Sequence, residues 1–123
     1  MKIKEFNKVK FYIGESAKEN WQLLDDSKKI NNNFIWFHLN SFPSPYVIMY
    51  STIDKLSNEI DICNSDISIN EFLVYGATLC KEYSKYKFMK DLKIMYVSLH
   101  KISKTEKVGE VIIKGKSKII TTV

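Results

Sequence analysis

The segment from Phe34 to Tyr50, FIWFHLNSFPSPYVIMY, constrains the fold more than any other part of the chain. Its two ends, residues 35–39 and 46–50, have the alternation of short β-strands. Residues 40–45 join them, and the two prolines there cannot donate to a strand ladder. Because both faces of each strand are apolar, the segment predicts a central hairpin with other elements packed against it.

Period-two alternation elsewhere predicts the strands that pair with this hairpin. Val9, Phe11 and Ile13 alternate with more polar neighbours, and Gly14 is expected to end that strand. A turn at Asn7–Lys8 would pair it with an earlier strand, Lys2–Phe6. Further strands are expected at Leu92–Leu99, Val111–Lys114 and Lys118–Val123.

Two sequences of capping-box form, Ser16–Glu19 and Ser68–Glu71, predict helix starts. In such a box the serine oxygen accepts from the third residue's N–H while the glutamate reaches back. The first helix is expected to end near Asp26 and the second near Tyr86, with Gly76 packed closely against the sheet. The first helix would bury Ala17, Trp21 and Leu24. Connections are predicted at Lys28–Asn33, 51–67 and Lys101–Lys107.

These elements predict a single α+β domain over residues 1–123, with a mainly antiparallel sheet, a central hairpin and two helices. A chain of 123 residues is long enough for one core, and 45% hydrophobic residues with 27% charged residues are typical of a folded protein. No run approaches the roughly 18 apolar residues of a membrane span, and the N-terminus lacks the apolar core of a signal peptide. A cytoplasmic protein is therefore expected, with Cys63 and Cys80 as reduced thiols.

Positive charge is concentrated in the last third of the chain. The formal net charge is +5, and residues 81–123 hold 11 lysines against 4 acidic residues, or +7, whereas residues 54–80 hold one lysine against five acidic residues. All 19 basic residues are lysine. Lysine neutralises phosphate but lacks the planar fork that reads a guanine edge. Any nucleic-acid binding is therefore expected to follow backbone charge and shape.

Several motifs resemble the NFACT-R domain family, also called DUF814. They are YIGESAKEN (Tyr12–Asn20), IWFH (Ile35–His38) and SPYV (Ser44–Val47), followed by KIMY (Lys93–Tyr96), VGEV (Val108–Val111) and the terminal KIITTV. The resemblance spans nearly the whole chain and is greatest to the small standalone eukaryotic form, whose coiled-coil tail these residues do not include. It implies binding to nucleic acid, chiefly RNA, in ribosome quality control, where the family's larger members bind tRNA on the stalled large subunit.

Three positions depart from that family pattern. Glu15 stands where a basic residue is usual, Phe34 where an aspartate is usual, and Tyr46 where a second histidine is usual. The first change removes a charge that would favour an anion at a helix start. The third removes a His–His pair but keeps a ring and a hydroxyl.

The predicted interface combines lysines with three rings of the hairpin. We expect Trp36, His38 and Tyr46 to be partly accessible at the turn end of the hairpin, beside the basic loop. Trp36 as a core residue and His38 as a structural one remain alternatives. The lysines expected to contact nucleic acid are Lys101, Lys104, Lys107, Lys114, Lys116 and Lys118.

Catalysis is not expected. The chain has no nucleophile motif around His38 or His100, no glycine-rich phosphate loop and no HExxH-type spacing. No catalytic residue, metal site or cofactor is therefore predicted. The expected partner is RNA, either tRNA or rRNA. DNA binding by the same basic surface, and a protein-interaction or ribosome-docking module that uses the acidic residues 54–71 or the hairpin, are the alternatives.

Overall fold

The computed structural model describes the backbone of residues 1–63 and 67–120, and side chains within these ranges except 61–63. In this part of the chain, three helices and eight strands confirm the predicted α+β fold. The strands are β1 (Lys2–Phe6), β2 (Val9–Gly14), β3 (Ile35–Leu39), β4 (Tyr46–Met49), β5 (Ile94–Ser98), β6 (Ile102–Lys104), β7 (Val111–Ile113) and β8 (Lys118–Ile120). The helices are α1 (Ala17–Ile30), α2 (Ile53–Cys63) and α3 (Ile69–Glu82).

The main sheet has the order β1-β2-β4-β3-β5-β8, and its neighbouring strands are antiparallel. The β3–β4 hairpin therefore occupies the centre, as its two apolar faces predict. Trp36 pairs with Ile48 and Phe37 with Val47. Strands β6 and β7 form a separate two-stranded sheet.

Each face of the central hairpin has its own core. On one face, α3 packs against Phe37 and its neighbours, with α2 beside it. A Cβ on Gly76 would lie 2.5–2.9 Å from atoms of the Phe37 ring, which confirms the predicted close approach. On the other face, Trp36 lies with residues from α1 and the β6–β7 hairpin, including Leu24 and Ile102.

Helix α1 is one turn longer than predicted, and of the three residues expected to be buried, Leu24 is buried and Trp21 is half-buried. The helix continues to Ile30 because Ser27 is buried and shares a 2.6 Å hydrogen bond with the Tyr50 hydroxyl. The Lys28 ammonium donates to the carbonyl of Ile102 on β6. Ala17, predicted to be buried, is exposed. Partners that are distant in sequence therefore determine which face of this helix is covered.

The prediction that residues 51–67 form a plain connection was wrong, because α2 lies within them. Among its described side chains, Leu56 is buried and Ile60 packs against the same core. Asp54 and Glu59 lie on its exposed side. The acidic residues obscured the helical pattern in the sequence.

Other element bounds also differ from the prediction. Helix α3 ends at Glu82 and not near Tyr86, because the following residues 83–91 turn away as a loop before β5. The predicted loop Lys101–Lys107 contains strand β6, and β5 is shorter than the predicted Leu92–Leu99. The predicted end of β8 lies outside the described residues, which stop at Ile120. None of the described helices is long and apolar enough to cross a bilayer.

Candidate nucleic-acid interface

A cleft of about 750 Å³ lies at the turn end of the central hairpin. Four segments form its walls: the start of α1, the β3–β4 connection, the residues that follow α3, and the β6–β7 loop. Its lining includes Asn20, Trp36, His38, Tyr46, Lys85 and Lys107. Because α3 and the β6–β7 hairpin cover opposite faces of the sheet, the cleft lies where these two layers meet beyond the strand ends.

The three predicted rings come together on the inner side of this cleft. His38 stacks on Trp36 with ring centroids 5.2 Å apart and planes at 12°. Tyr46 meets both rings edge-on, at centroid distances of 5.4 Å from Trp36 and 5.8 Å from His38. Sequence reasoning thus identified a real cluster next to the β6–β7 loop.

The prediction that all three rings are accessible was wrong for two of them. Trp36 and Tyr46 are each 1% exposed, whereas His38 is half-buried. The β6–β7 loop covers Tyr46, and helix α1, which is distant in sequence, packs beside Trp36. Both rings therefore belong to the core. His38 is the ring of this cluster that a ligand can reach.

His38 has a defined tautomer. Its Nδ1 lies 2.7 Å from the carbonyl oxygen of Leu39, and because a carbonyl can only accept, Nδ1 carries the hydrogen. In the neutral ring, Nε2 is then the acceptor. Burial lowers the pKa of His38 below its ordinary value, although the hydrogen bond to Leu39 partly opposes the shift. The ring is therefore neutral at pH 7.

The β6–β7 loop is fastened to the rest of the site at Gly109. The Tyr46 hydroxyl donates to the Gly109 carbonyl over 2.5 Å, and burial, with a smaller effect of Glu110, raises the pKa of Tyr46 to about 12. Gly109 has φ +87°, and a Cβ there would lie 2.7 Å from the Cβ of Ala17. Glycine is required here both for conformation and for close packing. The Trp21 indole donates to the Glu110 carbonyl next to it (3.3 Å).

Asn20 organises the same end of the sheet, and sequence reasoning missed its role. It is 6% exposed, and its Oδ1 accepts from the backbone N–H of Tyr46 (3.3 Å). A Cβ on Gly14 would lie 2.1 Å from that oxygen. Gly14 is the last residue of β2, as predicted, and its lack of a side chain also makes room for Asn20. The available signal was the position of both residues within YIGESAKEN.

The six predicted lysines divide between the two ends of the β6–β7 hairpin. At one end, Lys114 N donates to Lys101 O (2.8 Å), and Lys116 and Lys118 follow directly. At the other end, Lys107 lines the cleft. Lys104 differs, because its ammonium lies 2.8 Å from an Asp25 carboxylate oxygen and 5.0 Å from the Trp21 ring centroid. Within the described residues, the other five lysines form no salt bridge.

A second basic segment lies on the opposite wall, and the sequence prediction omitted it. The α3–β5 loop, residues 83–91, carries Lys85, Lys87 and Lys90 around Phe88, whose side chain is 88% exposed. The Lys87 ammonium lies 5.2 Å from the Phe88 ring centroid. Tyr86 and Lys85 of this loop line the cleft. The dense lysines of residues 81–93 within the basic third were the signal that could have identified it.

Two acidic residues line the cleft, one at the start of α1 and one on the β6–β7 loop. Glu15 and Glu110 both line it, and Glu15 lies 3.9 Å from the Lys2 ammonium. The Ser16 hydroxyl accepts from Glu19 N, and the Glu19 carboxylate accepts from Glu15 N rather than from Ser16 N as predicted. The carboxylates therefore already neutralise the start of α1, which makes it a poor anion site.

In the part of the chain that the structure describes, metal-ligating side chains do not converge and the described thiol is not activated. Among the described residues, no three His, Cys, Asp or Glu side chains converge as metal ligands would. The Cys80 thiol is free and buried, and burial raises its pKa to about 12. A thiol with that pKa is protonated and a weak nucleophile at neutral pH. The side chain of Cys63 lies outside the described residues.

Comparison with known proteins supports the fold and leaves the family open. No protein-family model and no curated protein matches the sequence. The structure is similar to a solved structure described as the C-terminal part of the fibronectin/fibrinogen-binding protein from Streptococcus suis, with a TM-score of 0.69 and 21% identity. The match covers 94% of this chain and 42% of that chain. At this identity the likeness shows a shared fold, and membership of the NFACT-R family stays a prediction.

Proposed function

We propose that this chain is an RNA-binding module of the NFACT-R type that binds tRNA or rRNA in the cytoplasm without catalysing a reaction. The observation that carries the proposal is the arrangement of two lysine-bearing loops on opposite walls of one cleft. Lys85 lines it from the α3–β5 loop and Lys107 from the β6–β7 loop. Both loops belong to the segment with a net charge of +7.

Phosphate contacts account for most of the proposed affinity. Lys114, Lys116 and Lys118 are exposed, and within the described residues they have no carboxylate partner. They can therefore exchange condensed counterions on RNA without first breaking a salt bridge. Lys104 contributes less, because its ion pair with Asp25 would have to open.

Base contacts are expected to tolerate many sequences. Lysine places a point charge and does not form the bidentate bonds by which arginine reads guanine. Phe88 supplies an exposed aromatic face among lysines, the combination by which single-stranded bases are bound through stacking. Such stacking is worth about 1–3 kcal/mol per base and does not depend strongly on base identity.

Salt titration of binding to a labelled structured RNA tests the proposal. The logarithm of the affinity should fall by about 0.7 to 0.9 per log unit of salt for each phosphate neutralised. Replacing Lys114 and Lys116 with Gln should lower that slope by about 1.4 to 1.8, the share of two phosphates. Replacing Lys4 and Lys10, which lie on β1 and β2 at the opposite edge of the sheet, removes the same charge and should change the slope much less. Absence of binding at low salt would overturn the proposal.

The same titration with duplex DNA separates RNA from DNA. Lysine contacts to phosphate do not distinguish the two, whereas unpaired bases and 2′-hydroxyls occur in structured RNA. We expect the structured RNA to bind more tightly than a DNA duplex of equal length. Equal affinities and equal salt slopes would mean that the basic surface binds RNA and DNA without distinguishing them.

A protein partner is the second candidate function. Val108, Ile112 and Ile119 are exposed large apolar residues on or beside the β6–β7 hairpin and β8. The protein of similar fold is named for binding fibronectin and fibrinogen. Capture of partners from lysate with and without nuclease treatment discriminates. Partners that persist after nuclease favour this candidate, and partners that disappear favour RNA binding.

A further inference from the structure

We propose that the cleft holds one unpaired nucleotide of the bound RNA, with its base against His38 and its phosphates between Lys85 and Lys107. The inference rests on the proposed function and assigns a subsite within it. The surrounding lysines would bind the RNA backbone, and the cleft would bind a nucleotide whose base is not stacked on its neighbours.

The size of the cleft suits this occupant. Its volume of about 750 Å³ falls within the range of about 300–1,000 Å³ that is typical of small-molecule sites. The cleft also has apolar and aromatic walls, including Pro43, Pro45 and Met95 beside the ring cluster. A planar base buries apolar faces against such walls, whereas a bare phosphate would not.

The unused hydrogen-bonding groups favour a base over a simple anion. Asn20 is 94% buried, its Oδ1 accepts from Tyr46 N, and its Nδ2 has no partner among the described residues. His38 Nε2 adds an acceptor. A base edge carries both donors and acceptors, while a carboxylate or phosphate would meet the His38 lone pair with its own.

Charge sets the orientation of the nucleotide. Glu15 lines the cleft at the start of α1, where it repels phosphate, and Glu110 lies at the β7 end of the β6–β7 loop. Lys85 lines the cleft from the α3–β5 loop and Lys107 from the β6–β7 loop. The phosphates are therefore placed at the loops and the base at His38. Trp36 already covers one face of the His38 imidazole, so the base contacts the edge or the remaining face.

Tryptophan emission tests the inference directly. The chain has two tryptophans, so Trp21→Phe leaves Trp36, which touches His38, as the single reporter. Nucleoside monophosphates and short single-stranded RNA should change Trp36 emission with saturation, and inorganic phosphate should not. If Trp21→Phe perturbs folding, the Trp36 indole N–H resonance of the parent chain gives the same readout by NMR.

Two sets of variants locate the effect. His38→Ala should weaken nucleoside monophosphate binding about tenfold, as expected for loss of a stacking or base contact. Lys85→Gln with Lys107→Gln should weaken it as well. Lys114→Gln with Lys116→Gln is the matched control, because it should lower the salt slope for RNA and leave monophosphate affinity unchanged.

The outcomes separate this inference from the proposed function. If RNA binds with a normal salt slope while Trp36 emission and the His38 variant show no effect, the nucleotide subsite is refuted and the RNA-binding proposal stands. If monophosphates bind in the cleft but RNA does not bind at low salt, the RNA-binding proposal fails and the cleft is a site for free nucleotides.

Discussion

The hydroxyl of Tyr46 donates a 2.5 Å hydrogen bond to the carbonyl of Gly109, which joins the central hairpin to the β6–β7 loop. The two residues are 63 positions apart in the chain. Tyr46 stands where the resembled family usually has histidine. Here its ring packs edge-on against Trp36 and its hydroxyl holds the loop that covers it. One side chain therefore both fills the core and shapes the cleft.

Tyr46→Phe should lower the free energy of unfolding by about 1 kcal/mol, because the ring packing stays while the hydrogen bond is lost. Release of the loop should also make Trp36 more accessible to acrylamide quenching. Urea unfolding and quenching measure the two effects. Tyr96→Phe is the control, since the Tyr96 hydroxyl forms no hydrogen bond within the described residues. Equal effects of the two substitutions would show that the hydrogen bond from Tyr46 does not hold the β6–β7 loop in place.

Gly76→Ala should destabilise the protein by about 1–3 kcal/mol, the usual cost of overpacking a core. The added methyl group would lie 2.5–2.9 Å from the Phe37 ring, so α3 must move away from the sheet. Thermal unfolding measures the loss. Combining the change with Phe37→Leu removes the ring and should restore part of the stability lost through the methyl. A double variant with strictly additive losses would mean that the two residues do not compete for space.

Glu15→Gln should strengthen RNA binding by a factor of about two to five, the scale of one exposed charge interaction. Glu15 lines the cleft at the start of α1 and repels phosphate there. Glu59→Gln, an exposed change on α2, removes the same charge from a distant surface and is the control. Binding should be compared at low salt, where screening is weakest. Equal gains from both variants would indicate a net-charge effect rather than a local one.

His38 should make stability depend on pH in mildly acidic solution. The imidazole has an ordinary pKa of 6.5, and burial lowers its pKa in the folded protein. As the pH falls through about 6.5, the unfolded chain binds more protons than the folded one, so the free energy of unfolding decreases. Above that pH the stabilisation is fully present. Urea unfolding between about pH 7.5 and 5.5 measures the change.

His38→Gln should flatten this pH dependence, because it removes the buried imidazole. The carboxyl groups of the chain contribute to the pH dependence of stability below about pH 5, which is outside the compared range. A parent chain with constant stability over this range would contradict the burial of a neutral His38.

Local periodicity was sufficient to predict the central hairpin and the contact of Gly76 with the sheet. A strand that is apolar on both faces must lie between two layers, and a glycine on an apolar helical stripe indicates close approach. These inferences depend on residues near one another in sequence. Helix α2 was missed because its apolar residues are interspersed with acidic ones, which leaves a weak periodic pattern in the sequence.

The site was predicted less completely, since its geometry depends on residues that are far apart in sequence. The cluster of Trp36, His38 and Tyr46 follows from strand alternation and a shared turn. Its coverage does not, because the covering loop comes from residues 105–110 and the supporting amide from Asn20. No local pattern in the hairpin indicates that either would be present.

The separate β6–β7 sheet has a consequence for the timing of access to the cleft. Its strands have three residues each and pair with one another, and an isolated two-stranded hairpin is marginally stable in water. The contacts Tyr46–Gly109, Trp21–Glu110, Lys104–Asp25 and Lys28–Ile102 hold it in place, together with the burial of Ile102. Losing those few contacts costs less than global unfolding, so its amides should exchange with solvent deuterium sooner than those of β3 and β4. The β6–β7 hairpin, which covers the cleft, should therefore open and close locally while the main sheet remains folded.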